Sequence, residues 1–103
     1  MVKVIDNMEN FKESLKTDQL VVVDAYATWC PPCNYLTPYF QKFSETYSGV
    51  TFLKIDVDKS RDIAQHLQVK AMPTIKFFKG GKEVGEVVGA DVAGIEKKVK
   101  ELM

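Results

Sequence analysis

The chain has 103 residues, of which 46% are hydrophobic and 27% charged. This balance predicts one globular domain over residues 1–103. A formal net charge of +0 excludes the basic surplus that marks binding to nucleic acid or anionic membranes. With two cysteines, too few for a secreted disulfide scaffold, and no apolar leader or membrane-length segment, the sequence predicts an intracellular, reducing compartment.

The first half of the chain alternates strand and helix signals. A short strand over 2–5 precedes a helix over 7–16, for which Asp6 is the expected N-cap. Residues 20–25 are apolar and rich in β-branched side chains, which predicts a central strand buried on both faces. A helix is predicted over 32–47, because its apolar residues recur at helical spacing.

The second half ends in a hairpin and a helix. A strand over 51–56 is followed by a short helix over 60–66, for which Ser60 is the expected cap, and the last helix covers 91–102. Two strands, 74–78 and 83–88, flank Lys79-Gly80-Gly81-Lys82, which is a strong hairpin signal. The order βαβαβαββα predicts an α/β fold with a mixed, five-stranded central sheet flanked by four helices.

Both cysteines lie in the segment Trp29-Cys30-Pro31-Pro32-Cys33. A CxxC pair that follows a buried strand and starts a helix is typical of a thiol–disulfide redox site. Residues three apart on a helix are neighbours, about 5–6 Å apart at Cβ, so the two thiols can form a disulfide. A thiol at a helix N-terminus is stabilised as thiolate by the helix dipole. Cys30 is therefore the predicted nucleophile and Cys33 the resolving thiol.

Other functions explain this pattern less well. A structural Cys30–Cys33 bridge would stabilise the fold by only about 2 kcal/mol, because the loop is so short. A structural zinc site usually needs four Cys or His ligands, but the chain has two cysteines and a single distant histidine, His66. The position of this histidine also makes a Cys–His hydrolase a poor interpretation. A stronger alternative is a module that mainly binds partners and uses its redox state as a switch, but a pure binding module does not need the resolving cysteine. A secretory oxidase or isomerase is disfavoured by the missing signal and by the absence of a retention motif at 101–103.

Three distant segments resemble the signature segments of the thioredoxin family: Asp24 to Cys33, Met72-Pro73-Thr74 and Val88-Gly89-Ala90. The resemblance covers the whole chain, and residues 52–58 look most like the small cytosolic thioredoxins of eukaryotes. It implies the thioredoxin fold, a cytoplasmic location and a redox-active disulfide with no bound cofactor. Two positions depart from the family pattern, because Pro31 stands where glycine is usual and Asn34 where lysine is common.

The resemblance also implies roles for buried and backbone positions. Asp24 matches the proton acceptor for the resolving cysteine; because it follows three valines, we expect it to be buried with a raised pKa. Lys54 matches a lysine that approaches this carboxylate in some members, but a solvated surface lysine is an equally good interpretation. Pro73 is expected to follow a cis peptide bond, so that Met72 presents its backbone to an extended client.

An apolar rim around Cys30 is implied to bind clients, and it comprises Trp29, Pro31, Met72, Val88, Gly89 and Ala90. Pro31 and Pro32 shape the first turn of the helix, and neither has an N–H to offer to the thiolate. We hypothesise that Pro31 raises the pKa of Cys30 modestly and shifts its redox potential relative to a glycine variant.

The resemblance finally implies partners. A thioredoxin is a monomeric protein-disulfide reductase that receives electrons from thioredoxin reductase, which uses FAD and NADPH. Its expected clients are peroxiredoxins, ribonucleotide reductase and other disulfide-containing proteins. No nucleic-acid or membrane partner is expected.

Overall fold

The computed structural model describes all residues, 1–103. It contains five strands and four helices in the predicted order. Their bounds are β1 Val2–Val4, α1 Met8–Ser14, β2 Val21–Tyr26, α2 Pro31–Thr46, β3 Thr51–Asp56, α3 Arg61–His66, β4 Thr74–Lys79, β5 Lys82–Val88 and α4 Val92–Leu102. No helix has the length and apolar character needed to cross a lipid bilayer.

The five strands form one mixed sheet in the order β1-β3-β2-β4-β5. β1, β3 and β2 run parallel, whereas β4 is antiparallel to β2 and β5 antiparallel to β4. β2 lies in the middle, and five of its six residues are buried. The predicted mixed, five-stranded sheet with a central second strand is confirmed.

Each face of the sheet is covered by two helices. On one face, α2 and α4 pack against strand residues to bury Leu20, Val22, Leu36, Phe40, Phe43, Val50, Phe52, Ile75, Phe77, Ile95 and Val99. On the other face, α1 and α3 help to bury Ile5, Phe11, Val21, Val23, Leu53, Ile55, Ile63, Leu67 and Phe78. Since side chains alternate along a strand, Asp24 lies on the same face as Val22, which is the face that α2 covers.

The N-cap of α1 differs from the sequence-based expectation, whereas the N-cap of α3 agrees with it. Asn7, not Asp6, is the N-cap of α1, and its side chain accepts a hydrogen bond from the backbone N–H of Asn10 at 2.8 Å. Both residue types cap helices well, so the sequence alone does not separate these neighbours. Ser60 is the N-cap residue of α3 as predicted, but its buried hydroxyl has no hydrogen-bond partner.

The predicted hairpin between β4 and β5 is confirmed. Gly80 and Gly81 have φ of +60° and +79°, as a two-residue turn with positive φ at both positions requires. The hairpin pairs Val88 with Thr74. It therefore brings the end of β5 beside the residues that precede β4.

Candidate active site

The two cysteines are joined by a disulfide at the N-terminus of α2. β2 ends at Tyr26, and a short loop leads to Cys30, the N-cap residue of α2. Cys33 is the third residue of this helix, and one turn brings the two Cα atoms to 5.2 Å, within the usual range for a disulfide. The helix thus begins at Pro31, one residue earlier than predicted, and Cys30 directly precedes it.

The helix terminus gives the two sulfurs different surroundings. Sγ of Cys30 accepts a hydrogen bond from the backbone N–H of Cys33 at 3.2 Å, and it lies 3.6 Å from the carbonyl oxygen of Met72. Cys30 is 4% exposed and Cys33 is 1% exposed, so Cys30 is the more exposed residue of the two. Pro31 and Pro32 supply no N–H to this turn.

Replacing Pro31 with glycine is expected to lower the pKa of the Cys30 thiol modestly and to make the protein slightly more oxidising. Glycine restores an N–H dipole near Sγ, which stabilises the thiolate and with it the reduced form. The side chain of an N-cap residue accepts hydrogen bonds from the N–H of the second or third helical residue. Residue 31 is the first helical residue, so its N–H in the glycine variant would not bond Sγ directly. We therefore expect a change of only about 10–30 mV, since about 30 mV corresponds to 1.4 kcal/mol.

Thiolate absorbance during a pH titration and equilibration in glutathione buffers would measure both changes in this glycine variant. Wild-type values in both experiments would contradict the hypothesis. A shift in potential without a shift in thiolate titration would place the effect of Pro31 in the oxidised form instead.

Asp24 is a buried and unpaired carboxyl group on the α2 face of the sheet. Its exposed fraction is 0%, and neither carboxyl oxygen has a hydrogen-bond partner. Burial disfavours the charged carboxylate and raises the pKa of Asp24 to about 7, against the opposing positive charge of Lys54. A carboxyl group with this pKa can both accept and release a proton near neutral pH.

Lys54 is the strand partner of Asp24 in β3, and both side chains leave the sheet on the same face. Its Nζ atom lies over the ring of Tyr26, 4.4 Å from the ring centre. Tyr26 also packs against the cluster of Ala27, Cys30 and Cys33. Tyr26 was not among the predicted site residues, although strand alternation places it on the face of Asp24.

A cis peptide bond joins Met72 to Pro73 in the loop before β4. The backbone N–H of Gly89 donates to the carbonyl oxygen of Pro73 at 2.8 Å, which ties the end of β5 to this loop. Gly89 has φ of +97°, in the region that favours glycine. These contacts bring the second and third signature segments together.

The apolar side chains of the rim differ in exposure. Trp29 is 64% exposed and Val88 56% exposed, whereas Met72 and Ala90 are half-buried. The indole Nε1–H of Trp29 donates to Oδ2 of Asp58 at 2.8 Å. Asp58 was missed by the sequence analysis, because no local pattern links two residues 29 positions apart.

The lone histidine is not positioned as a base for Cys30. His66 lies at the end of α3, on the sheet face opposite α2, and its ring meets Phe11 edge-on at 6.3 Å between ring centres. No group of three or more His, Cys, Asp or Glu side chains is arranged to hold a metal ion.

The family model described as Thioredoxin matches residues 2–101. The thioredoxin of Callithrix jacchus is 48% identical over 105 residues, which cover 100% of both chains. The oxidised form of mitochondrial thioredoxin 3 from Saccharomyces cerevisiae has a TM-score of 0.94 at 39% identity, covering 98% of this chain and 95% of that one. A structure on the thiol resolving mechanism in yeast mitochondrial 1-Cys peroxiredoxin via glutathione/thioredoxin systems contains a chain with the same TM-score, 38% identity and the same coverage.

A disulfide at the start of the helix that follows the central strand of such a sheet defines a thiol–disulfide oxidoreductase. The matches extend over the whole chain at high identity, and the superposed structures share its topology. The chain belongs to the thioredoxin family. It is a protein-disulfide oxidoreductase, its redox group is the Cys30–Cys33 disulfide, and its partners are other redox proteins.

Proposed function

We propose that Cys30 attacks the client disulfide, Cys33 resolves the mixed disulfide, and Asp24 accepts the proton of Cys33. The observation that carries this proposal is the position of Cys30 as N-cap residue of α2, where its Sγ accepts a hydrogen bond from the N–H of Cys33 and the residue is more exposed than Cys33. A thiolate at that position is stabilised by the helix N-terminus. The buried carboxyl group of Asp24 lies on the sheet face covered by the same helix.

The proposed reaction has two exchange steps. The Cys30 thiolate forms a bond to one client sulfur, the client disulfide breaks, and the second client sulfur leaves as thiolate and takes up a proton. Cys33 then loses its proton to the Asp24 carboxylate, directly or through water, and its sulfur attacks Sγ of Cys30. The mixed disulfide breaks, the remaining client thiolate leaves, and the chain holds the Cys30–Cys33 disulfide. Two electrons have passed from the dithiol to the client.

Client binding is proposed to occur on the rim around Cys30. The exposed Trp29 and Val88 side chains would cover apolar client residues, and the carbonyl oxygen of Met72, 3.6 Å from Sγ of Cys30, would meet the client backbone. Gly89 has no Cβ, and the space that a Cβ would occupy is empty, so its backbone is open to a client on this side. Pro31 and Ala90 complete the proposed rim.

The physiological cycle is proposed to start from thioredoxin reductase, which supplies electrons from NADPH through FAD. Peroxiredoxins and ribonucleotide reductase are the proposed recipients, and the chain would act as a monomer. A structure at 38% identity that concerns a 1-Cys peroxiredoxin supports the first of these clients. We propose the cytosol as the compartment, in line with the resemblance to small cytosolic thioredoxins. One structural relative is a mitochondrial thioredoxin, and fractionation of source cells would show in which of the two compartments this protein lies.

A Cys30→Ser variant is expected to lose catalytic insulin-disulfide reduction, because serine cannot form the mixed disulfide. The assay uses catalytic protein with NADPH and thioredoxin reductase, and separately with glutathione. Thr46→Ser at the exposed, far end of α2 is the matched control and should keep wild-type turnover.

The electron donor that supports turnover distinguishes between the possible physiological cycles. Turnover with thioredoxin reductase that Cys30→Ser abolishes supports the proposal. Turnover with glutathione alone would contradict the proposed donor, and residual activity of Cys30→Ser would contradict the role of Cys30.

A further inference from the structure

We propose that Tyr26 is a positioning residue that holds the ammonium group of Lys54 beside the buried carboxyl group of Asp24. The inference rests on the proposed role of Asp24 as proton acceptor and adds a residue that acts on this group through another. It starts from the Nζ atom of Lys54, which lies 4.4 Å from the centre of the Tyr26 ring.

The strand register explains how the three side chains meet. In the parallel pair of β2 and β3, Asp24 is opposite Lys54 and Tyr26 is opposite Asp56. All four side chains leave the sheet on one face, because residues two apart on a strand point the same way. An ammonium group that lies on the ring therefore stays on the face of the sheet that carries Asp24, where its charge acts on that carboxyl group. It forms no hydrogen bond with the carboxyl oxygens, so its influence on Asp24 is that of a nearby charge.

The ring of Tyr26 restricts a side chain that would otherwise be mobile. Lys54 is half-buried, so its ammonium group can lie either on the ring or in bulk water. An aromatic face attracts an ammonium group within about 6 Å of its centre. Without the ring, the flexible four-carbon stem of lysine would place its charge mostly in water, farther from the buried carboxyl group.

Among the groups on the elements that surround Asp24, Lys54 carries the positive charge whose position Tyr26 can change. β3 contributes Lys54 and Asp56, and Asp56 Oδ1 is held by the backbone N–H groups of two following residues. β4 places uncharged Ile75 opposite Asp24, and α4 adds the apolar residues Ile95 and Val99 to the core on this face of the sheet. From α2 come the two cysteines, which do not titrate while they form the disulfide.

The test is a carboxyl ¹³C NMR titration of Asp24 in the oxidised protein, with Asp24→Asn used to assign the resonance. Tyr26→Leu keeps an apolar side chain but removes the aromatic face, and we expect the pKa of Asp24 to rise by about half a pH unit, or about threefold in acid dissociation. Tyr26→Phe keeps the face and should retain the wild-type pKa. Lys54→Met should raise the pKa at least as much as Tyr26→Leu.

The double variant separates positioning from simple burial. If Tyr26 acts through Lys54, adding Tyr26→Leu to Lys54→Met leaves the pKa of Asp24 unchanged. Equal shifts in both backgrounds, or a fall in the pKa when Lys54 is present, would overturn the proposal. Tyr26→Met offers the same test if the leucine variant does not fold. The titration needs no turnover, so wild-type insulin reduction by Asp24→Asn would refute the role of Asp24 and leave this result standing.

Discussion

A Cys33→Ser variant is expected to attack clients but to stop at the mixed disulfide on Cys30, which lowers steady-state insulin reduction by at least about 10³-fold. Resolution by Cys33 is intramolecular, and such reactions have effective molarities of about 10⁵ M or more. External thiols at millimolar concentration cannot replace that advantage. The residual rate should therefore depend linearly on the added thiol.

Non-reducing electrophoresis and mass spectrometry of Cys33→Ser mixed with an oxidised client would show one covalent adduct through Cys30. The matched control is Cys30→Ser, which retains the less exposed Cys33 thiol and should form no adduct. An adduct through Cys33, or catalytic turnover by Cys33→Ser without added thiol, would reverse the proposed roles of the two cysteines.

Replacing Asp24 with asparagine is expected to stabilise the oxidised protein at neutral and alkaline pH. The pKa of Asp24 is about 7 in the folded protein against an ordinary value of 3.8. Between these pH values, the folded protein keeps a proton that the unfolded chain has released. The free energy of unfolding of the wild type therefore falls as the pH rises from about 4 to about 7, and it levels off above.

The difference between the two pKa values corresponds to about 4 kcal/mol, at 1.36 kcal/mol per pH unit. Asparagine does not titrate, but its buried amide also lacks partners, so we expect a gain of about 2–4 kcal/mol at pH 8. The gain should become small near pH 4, where Asp24 is protonated in the folded protein and about half protonated in the unfolded chain. Urea unfolding of both proteins between pH 4 and 8 measures this, with Asp18→Asn, at an exposed position, as the control. A pH-independent difference would contradict the burial of a titrating carboxyl group.

The same substitution is expected to slow the resolving step by about 10²-fold, the lower end of what a positioned general base contributes. The decay of a preformed mixed disulfide, measured against pH, reports this step directly. In the wild type, the rate should rise as Asp24 ionises near pH 7, and this rise should be absent in Asp24→Asn. A wild-type rate in the variant would remove Asp24 from the reaction. If Asp24→Asn is both more stable and slower in the resolving step, then Asp24 lowers the stability of the fold while it speeds the reaction.

Much of this architecture follows from local sequence signals. The apolar run that became β2, the Gly80-Gly81 turn and the helical spacing of α2 are patterns within a few residues of each other. Periodicity and turn chemistry act over such short ranges, so the element order and the mixed sheet could be predicted. The errors are also local, as at Asp6 and Asn7, where two good capping residues are adjacent.

The chemistry of the redox pair was likewise a property of the sequence. A CxxC segment that follows a strand and opens a helix places Cys30 at a helix N-terminus wherever the chain folds as α/β. The resemblance of distant segments to thioredoxins added the expected roles of Asp24 and Pro73. The three valines before Asp24 also predicted that its carboxyl group is buried, and the structure confirms this burial.

Only the tertiary structure decided which side chains surround the cysteines. Strand register places Lys54 opposite Asp24 and beside the Tyr26 ring, and a side-chain hydrogen bond joins Trp29 to Asp58. These contacts depend on the pairing of separate strands and loops, because a shift of one residue would turn each side chain to the other face. The sequence by itself therefore determined the reactive group and its helix, while the packing of distant segments determined the charge and shape around it.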